Sequence, residues 1–510
     1  MRISLVFLLL AVTTPEGGQA QPIDAVLRIQ DQIARGELEP AASLLRDSIQ
    51  RWPKEGGLYN LRGILRMRAG EVAAGKADFQ TAVKLDPGLT AAWKNLGRAE
   101  ESETPLLAED AYRTVLRLTP GDAETRIEYA RLLLWRGAFR DSLQQIVSLP
   151  PRQQHQARAL ALRCASQAAL GKNAEAAACA KELAGDGDLQ EDTVLAILPV
   201  LEAKAPQLAL DVVEALKRRG AATQAALDHM GTIEENLGHL AAARELYEAR
   251  ARAQGATAAT LLDLARVAYK QRDVDAALGY AAHARDVEPN NAAVHFFFGM
   301  LAVEKNLPIE ARKSLETAVR LAPGQPYYNY ALGSVALQGR DPAEAIPYFQ
   351  KFRALLPNDP RGRFALGVAY FTAGDLDRAR QELMAIAETP ATKAGAQYFL
   401  GRLEKLNGNM TLAAAHLEQS IQANPDYADA HSELGLMRIR TSDFAGAARE
   451  IDRALQLDPD NVAANRNRLI LYQRTRDPRA EAQAARVKEL EARREQQQNL
   501  LFRNIEVRPY

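Results

Sequence analysis

An all-α array of repeated helix pairs is the fold class predicted for this chain, on three periodic observations. Prolines 289, 323, 357, 425 and 459 share a 34-residue grid. Pro390 stands one place early at its missing member, and Pro53 and Pro87 continue it upstream. On a matching grid fall Gly231, Gly299, Gly333, Gly367, Gly401 and Gly435, with Ala265 filling the gap. Twelve residues after each small residue stands an alanine: Ala243, Ala277, Ala311, Ala345, Ala379, Ala413 and Ala447. A period of this length marks stacked units, each too thin to bury its own apolar face.

Taken in order, residues 1–20 read as an export signal, with Arg2, an apolar run from Ile3 to Val12 and small residues Gly18 and Ala20 before a cut at Gln21. That run is too short to span a bilayer, which needs about 20 apolar residues. The expectation is an exported chain, periplasmic or secreted, with no membrane span after cleavage. Units then begin near 22, 56, 90, 123, 157, 190, 224, 258, 292, 326, 360, 394, 428 and 462, about fourteen in all. Within the amino-terminal repeats, 22–122, the register is good over 56–119, and it is strongest over 224–461. Over 123–223 it degenerates: the eighth positions are Ala130, Cys164 and Ile197, the prolines are displaced, and Ala184 to Asp188 makes a longer connection. Poorer stacking or a change in superhelix direction is expected there. The last unit, 462–498, carries Leu469 and Glu481 at its small positions and a charged run from Lys488, as a terminal cap requires. Residues 499–510 form a tail whose Leu500, Leu501, Phe502, Ile505 and Tyr510 are expected to pack back or to act as a short docking peptide.

The small residue at position 8, alanine at 20 and proline at 32 of each unit resemble the tetratricopeptide repeat. The resemblance covers nearly the whole chain after residue 21 and implies a right-handed α-solenoid of helix-turn-helix units. Positions 8 and 20 would lie where the paired helices approach most closely, a contact at which overpacking costs about 1–3 kcal/mol. Turns at Gln271–Asp273, Gly374–Asp375 and Asn407–Asn409 would separate the helices. Proline would end the second helix, since it lacks a donor and disfavours helical geometry in the residue before it.

The 64 basic residues match 64 acidic ones, and no basic block stands apart, so the phosphate attraction used by nucleic-acid binders is missing and no nucleic-acid partner is expected. Seven histidines, at 155, 229, 239, 283, 295, 416 and 431, show no paired metal-ligand spacing. No phosphate loop, dinucleotide fingerprint or nucleophile elbow is present; Ser334 beside Gly333 lacks the second glycine. The expectation is therefore no enzyme, no catalytic residues, no metal and no cofactor. Cys164 and Cys179 fall at positions 8 and 23 of one unit, which a hairpin folded about Gly171 brings face to face. Two readings stand: a disulfide, permitted by export, or two small buried thiols in alanine-like sites.

Function then falls to the concave face that first helices present in the resembled family. Its fifth position reads Phe296, Tyr330, Phe364 and Tyr398, and its twelfth includes Tyr269 and Phe371, with Arg266, Arg402 and Lys405 alongside. Such a stripe suits a partner's extended segment or amphipathic helix; the same rings also suit packing between adjacent helices. The expected function is an exported scaffold binding a protein or peptide. A subunit of an envelope polysaccharide or secretion machine is one alternative, and an enzyme on a helical-repeat scaffold is the other.

Overall fold

The computed structural model describes residues 21–496, so the signal-like segment and the tail at 499–510 lie outside the described residues. These residues form thirty α-helices and no β-strand, and no helix is long and apolar enough to cross a membrane. They fall into two compact units, divided between Leu246 and Tyr247.

Within the second compact unit, helix pairs follow the predicted register: Ala258–Lys270 with Val274–Val287, Ala292–Glu304 with Pro308–Leu321, Pro326–Gln338 with Pro342–Leu355, and Pro360–Ala373 with Leu376–Met384. Lys393–Leu406 with Met410–Ala423, Ala428–Arg440 with Phe444–Leu457, and Val462–Thr475 with Ala480–Gln496 complete it. The eighth-position glycines explain the pairing. A Cβ added to Gly333 would sit 2.8 Å from the Phe349 ring, at Gly367 2.7 Å from Leu383, and at Gly435 2.7 Å from Ile451. The partner is always sixteen residues on, in the second helix. Where the eighth position is Ala265, that partner shrinks to Ala281, both buried in one cluster.

The turn between paired helices places its fifteenth residue in left-handed backbone, at Gly374 and Gly408 and also at Arg272, Arg340 and Ser442. Glycine adopts that geometry freely, whereas the arginines and serine are held in it by the helices on either side. A second local device ties four of these pairs to the chain just before them. The side chain at position 4 donates to the carbonyl of the proline six residues earlier: His295 to Pro289 (2.9 Å), Asn329 to Pro323 (3.2 Å), His431 to Pro425 (3.0 Å) and Asn465 to Pro459 (3.0 Å). In the first compact unit Tyr59, Trp93 and Arg126 do the same for Pro53, Pro87 and Pro120. These donors satisfy carbonyls just beyond a helix end, where no intrahelical partner exists.

The first compact unit begins with Pro22–Ala34 and Leu38–Arg51, then Gly56–Arg68 with Val72–Leu85, and Thr90–Glu100 with Pro105–Leu118. From residue 123 the geometry departs from the regular pair. Ala123–Trp135 is followed by a short second helix, Phe139–Val147, and a single turn, Pro151–Gln154. The first helix of the unit at 190 is broken into Glu191–Leu195 and Leu198–Lys204, with Pro199 in the first turn of the second piece. The indole N–H of Trp135 donates to the carbonyl of Ala196 at this break (3.1 Å). Helix geometry changes here while burial does not: residues from Ile127 to Ile233 share one apolar cluster.

That cluster contains Cys164 and Cys179, joined as a disulfide with their Cα atoms 5.3 Å apart. The bridge links Ala157–Ala169 to Asn173–Gly185 across a separation of 15 residues. Closing a loop of that size stabilises by about 3 kcal/mol in the chain-entropy model. Reduction is expected to speed amide exchange in both helices, as measured by exchange mass spectrometry with and without reductant; unchanged protection would show that the bridge is dispensable.

Candidate functional site

The geometry turns on which way the fifth position of each first helix points. Asn95, at position 6 of its unit, donates to Asn60 at position 5 of the unit before (2.9 Å). Asn467 reaches Ser432 in the same way, contacting its carbonyl (2.9 Å) and its hydroxyl (3.0 Å). Phe399 meets Phe364 edge-on at 6.0 Å. In each case position 5 of one unit meets position 6 of the next, so it is a seam between first helices, filled here by amides and there by rings.

The predicted aromatic stripe divides accordingly. Tyr330, Phe364 and Tyr398 are only 5%, 6% and 7% exposed. Tyr330 lies against Phe349 (5.6 Å) and Phe352 (4.9 Å), and Tyr398 against Tyr427 (5.0 Å) and Phe399 (5.2 Å). Burial pushes both phenols up from their ordinary pKa. Rings packed this closely offer almost no area to a partner, so these three are corrected from groove lining to inter-helix packing. Phe296, stacked on Tyr328 at 4.6 Å, Tyr269 and Phe371 keep partial exposure. The Tyr269 hydroxyl donates to the Glu304 carboxylate (3.3 Å), and Arg266 pairs with Asp263 (2.8 Å). Arg402 lies over three rings, Phe371 (4.9 Å), Tyr398 (5.6 Å) and Phe399 (5.7 Å).

Two exposed side chains of this face escaped the sequence reading. Tyr327 is 45% exposed, and Arg361 covers its ring at 5.3 Å, donates to its hydroxyl at 3.2 Å and pairs with Asp359 at 2.6 Å. Both occupy position 2 and stand 34 residues apart, the periodic signal by which they are detectable. Leu406, the last residue of its first helix, is 60% exposed.

The first compact unit carries a different surface, dense in charge. Lys76 pairs with Glu100 (3.2 Å) and Glu103 (2.7 Å), Arg98 with Glu128 (2.7 Å) and Glu124 (3.0 Å), and Arg131 with Glu101 (2.5 Å). Lys94 pairs with Asp122, both side chains about nine-tenths buried. Burial pushes the Asp122 carboxyl up, but hydrogen bonds from Lys94 and from the Thr125 N–H outweigh it and hold the group below the usual carboxylate range. Among the described residues no three His, Cys, Asp or Glu side chains are grouped to hold a metal ion.

Paired helices in fixed register define a helical-repeat scaffold. The chain belongs to the tetratricopeptide repeat family, whose model matches residues 60–123, 262–326, 330–397 and 398–462. A stretch of 98 residues is 37% identical to the tetratricopeptide repeat domain-containing protein PYG7, chloroplastic, of Arabidopsis thaliana, covering 18% of this chain and 33% of that protein. The chain thus matches only about a third of that relative's length. Among solved structures, a tetratricopeptide repeat protein from Parabacteroides merdae is 16% identical with a TM-score of 0.43, covering 49% of this chain and 98% of that one. YrrB, a TPR protein with an unusual peptide-binding site, is 20% identical with a TM-score of 0.27, covering 43% and 95%.

Proposed function

We propose that this chain is an exported scaffold that binds a protein or peptide partner on the first-helix face between residues 262 and 440. The observation carrying the reading is what the inter-helix packing leaves uncovered. Tyr327, Phe371 and Leu406 are at least partly exposed, with Arg361 over the Tyr327 ring and Arg402 over the Phe371 ring. Aromatic and arginine side chains at a surface combine large contact area with few rotors and directional donors, the composition that dominates binding energy at protein interfaces. Export rests on the signal-like first twenty residues.

Photocrosslinking tests the reading. With p-benzoylphenylalanine at position 327 or 371, one protein partner is expected to be trapped in native cells. The same probe at Leu412, exposed on a second helix, is expected to trap none. Equal labelling from all three positions, or none, overturns the assignment of the face. Amino-terminal sequencing of the mature chain is expected to start at Gln21, and an intact Met1 in a cytoplasmic fraction overturns export.

A further inference from the structure

Of the donors that satisfy prolyl carbonyls in the second compact unit, Asn329 and Asn465 are neutral amides, whereas His295 and His431 are imidazoles. The two imidazoles differ in what their other nitrogen meets, nineteen residues on in the paired helix. Nδ1 of His295 faces the Ser314 hydroxyl (3.2 Å), which can donate to it, so a neutral ring donating from Nε2 to Pro289 satisfies both partners. Nδ1 of His431 faces the Glu450 carboxylate (2.7 Å), and its Nε2 faces the Pro425 carbonyl (3.0 Å). A carboxylate and a carbonyl only accept, so both nitrogens of His431 must donate, which only the imidazolium does. Glu450 stays ionised: the hydrogen bond from His431 and then the nearby Arg438 (3.5 Å) hold its carboxyl below the usual carboxylate range against the effect of burial.

The other charges around this junction are engaged elsewhere. Arg438 also reaches Glu418 on Met410–Ala423 (3.6 Å) and Asp443 (4.0 Å), and Arg449 acts on the Glu450 carboxylate. Asp426, beside Pro425, pairs with Arg453 (2.6 Å), and Arg468 on Val462–Thr475 pairs with Asp452. Among the described residues only Glu450 and Pro425 bond the His431 ring, which is 7% exposed.

We infer that His431 is a pH-sensitive pin: as an imidazolium it ties both the Pro425 loop and the helix Phe444–Leu457 to Ala428–Arg440, and loss of one proton undoes one of the two bonds. A neutral ring turns a lone pair on either the carbonyl or the carboxylate and leaves that acceptor without its donor, which is costly away from water. Both bonds are therefore complete at low pH, and one is lost as the pH rises. The inference does not depend on what the chain binds.

The test is hydrogen exchange of the chain from Gln21 onward, corrected for the intrinsic pH dependence of amide exchange, from about pH 5 to about pH 9, which spans the ordinary imidazole transition. As the pH rises, protection over 424–457 is expected to fall about tenfold relative to 292–321, the scale of one charge-assisted bond. The second region contains His295 and serves as the control. His431→Asn supplies the neutral donor already used at Asn329 and Asn465, and Glu450→Gln removes the obligate acceptor, so each is expected to flatten the profile. The same profile in wild type and His431→Asn, or a flat wild-type profile, overturns the inference. Nitrogen NMR of the wild type labelled at histidine decides the matter even where a variant fails to fold. At about pH 7, where a free imidazole is mostly neutral, both nitrogens of His431 are expected to carry protons and only one of His295. A neutral His431 in that spectrum overturns the inference.

Discussion

Gly333→Leu is expected to destabilise its helix pair by about 3 kcal/mol or more, the upper range for overpacking a well-filled core. A Cβ at this position already falls 2.8 Å from the Phe349 ring, and that ring is fully buried beside Tyr330, with nowhere to move. The extra isobutyl group would force the two helices apart. Phe349→Ala in the Gly333→Leu background is expected to cost much less than the sum of the single changes, because removing the ring vacates the contested space. Ala265 opposite Ala281 is this chain's own instance of such compensation. Hydrogen exchange over 326–355 is the suitable measurement, because stacked repeats open locally and one global melting value blurs the pair concerned. Additive single and double changes would show that the two positions do not compete for space.

Lys94→Met is expected to have the next largest effect, about 3 kcal/mol, read from exchange in Thr90–Glu100 and Ala123–Trp135. The substitution leaves the Asp122 carboxylate buried without its ammonium partner. Lys94→Met with Asp122→Asn is expected to recover much of the loss, since asparagine keeps the hydrogen bond that caps the helix at Thr125 while removing the stranded charge. The pH dependence has a definite sign. The folded carboxyl of Asp122 is held below its ordinary value, so its contribution is complete above about pH 4 and is lost as the pH falls through the folded value. Wild-type protection of these helices is therefore expected to drop on acidification. The double variant is expected to drop less; an equal drop in both would assign the acid sensitivity to other carboxylates.

Much of the fold was legible because its constraints are short-range. A proline that cannot continue a helix, and a glycine that admits a ring sixteen residues on, act within a single hairpin, so a linear period records them directly. The donors at position 4 were harder to see, because Tyr59, Trp93, Arg126, His295, Asn329, His431 and Asn465 share a function without sharing a chemical type. The candidate site was legible only in part. Periodicity located the rings at 296, 330, 364 and 398, but an aromatic at a helical repeat position reads alike whether it faces water or the next helix.

From the sequence alone came the register of the helix pairs, the residues at which paired helices touch, and the hairpin that sets Cys164 opposite Cys179. Only the tertiary structure decided that position 5 turns into the seam against position 6 of the following unit, which buries Tyr330, Phe364 and Tyr398 and leaves Tyr327, Phe371, Arg402 and Leu406 to present the first-helix face. The physical reason is that the rotation of one hairpin against the next is set by side-chain packing between units, and such packing leaves no periodic mark within either unit.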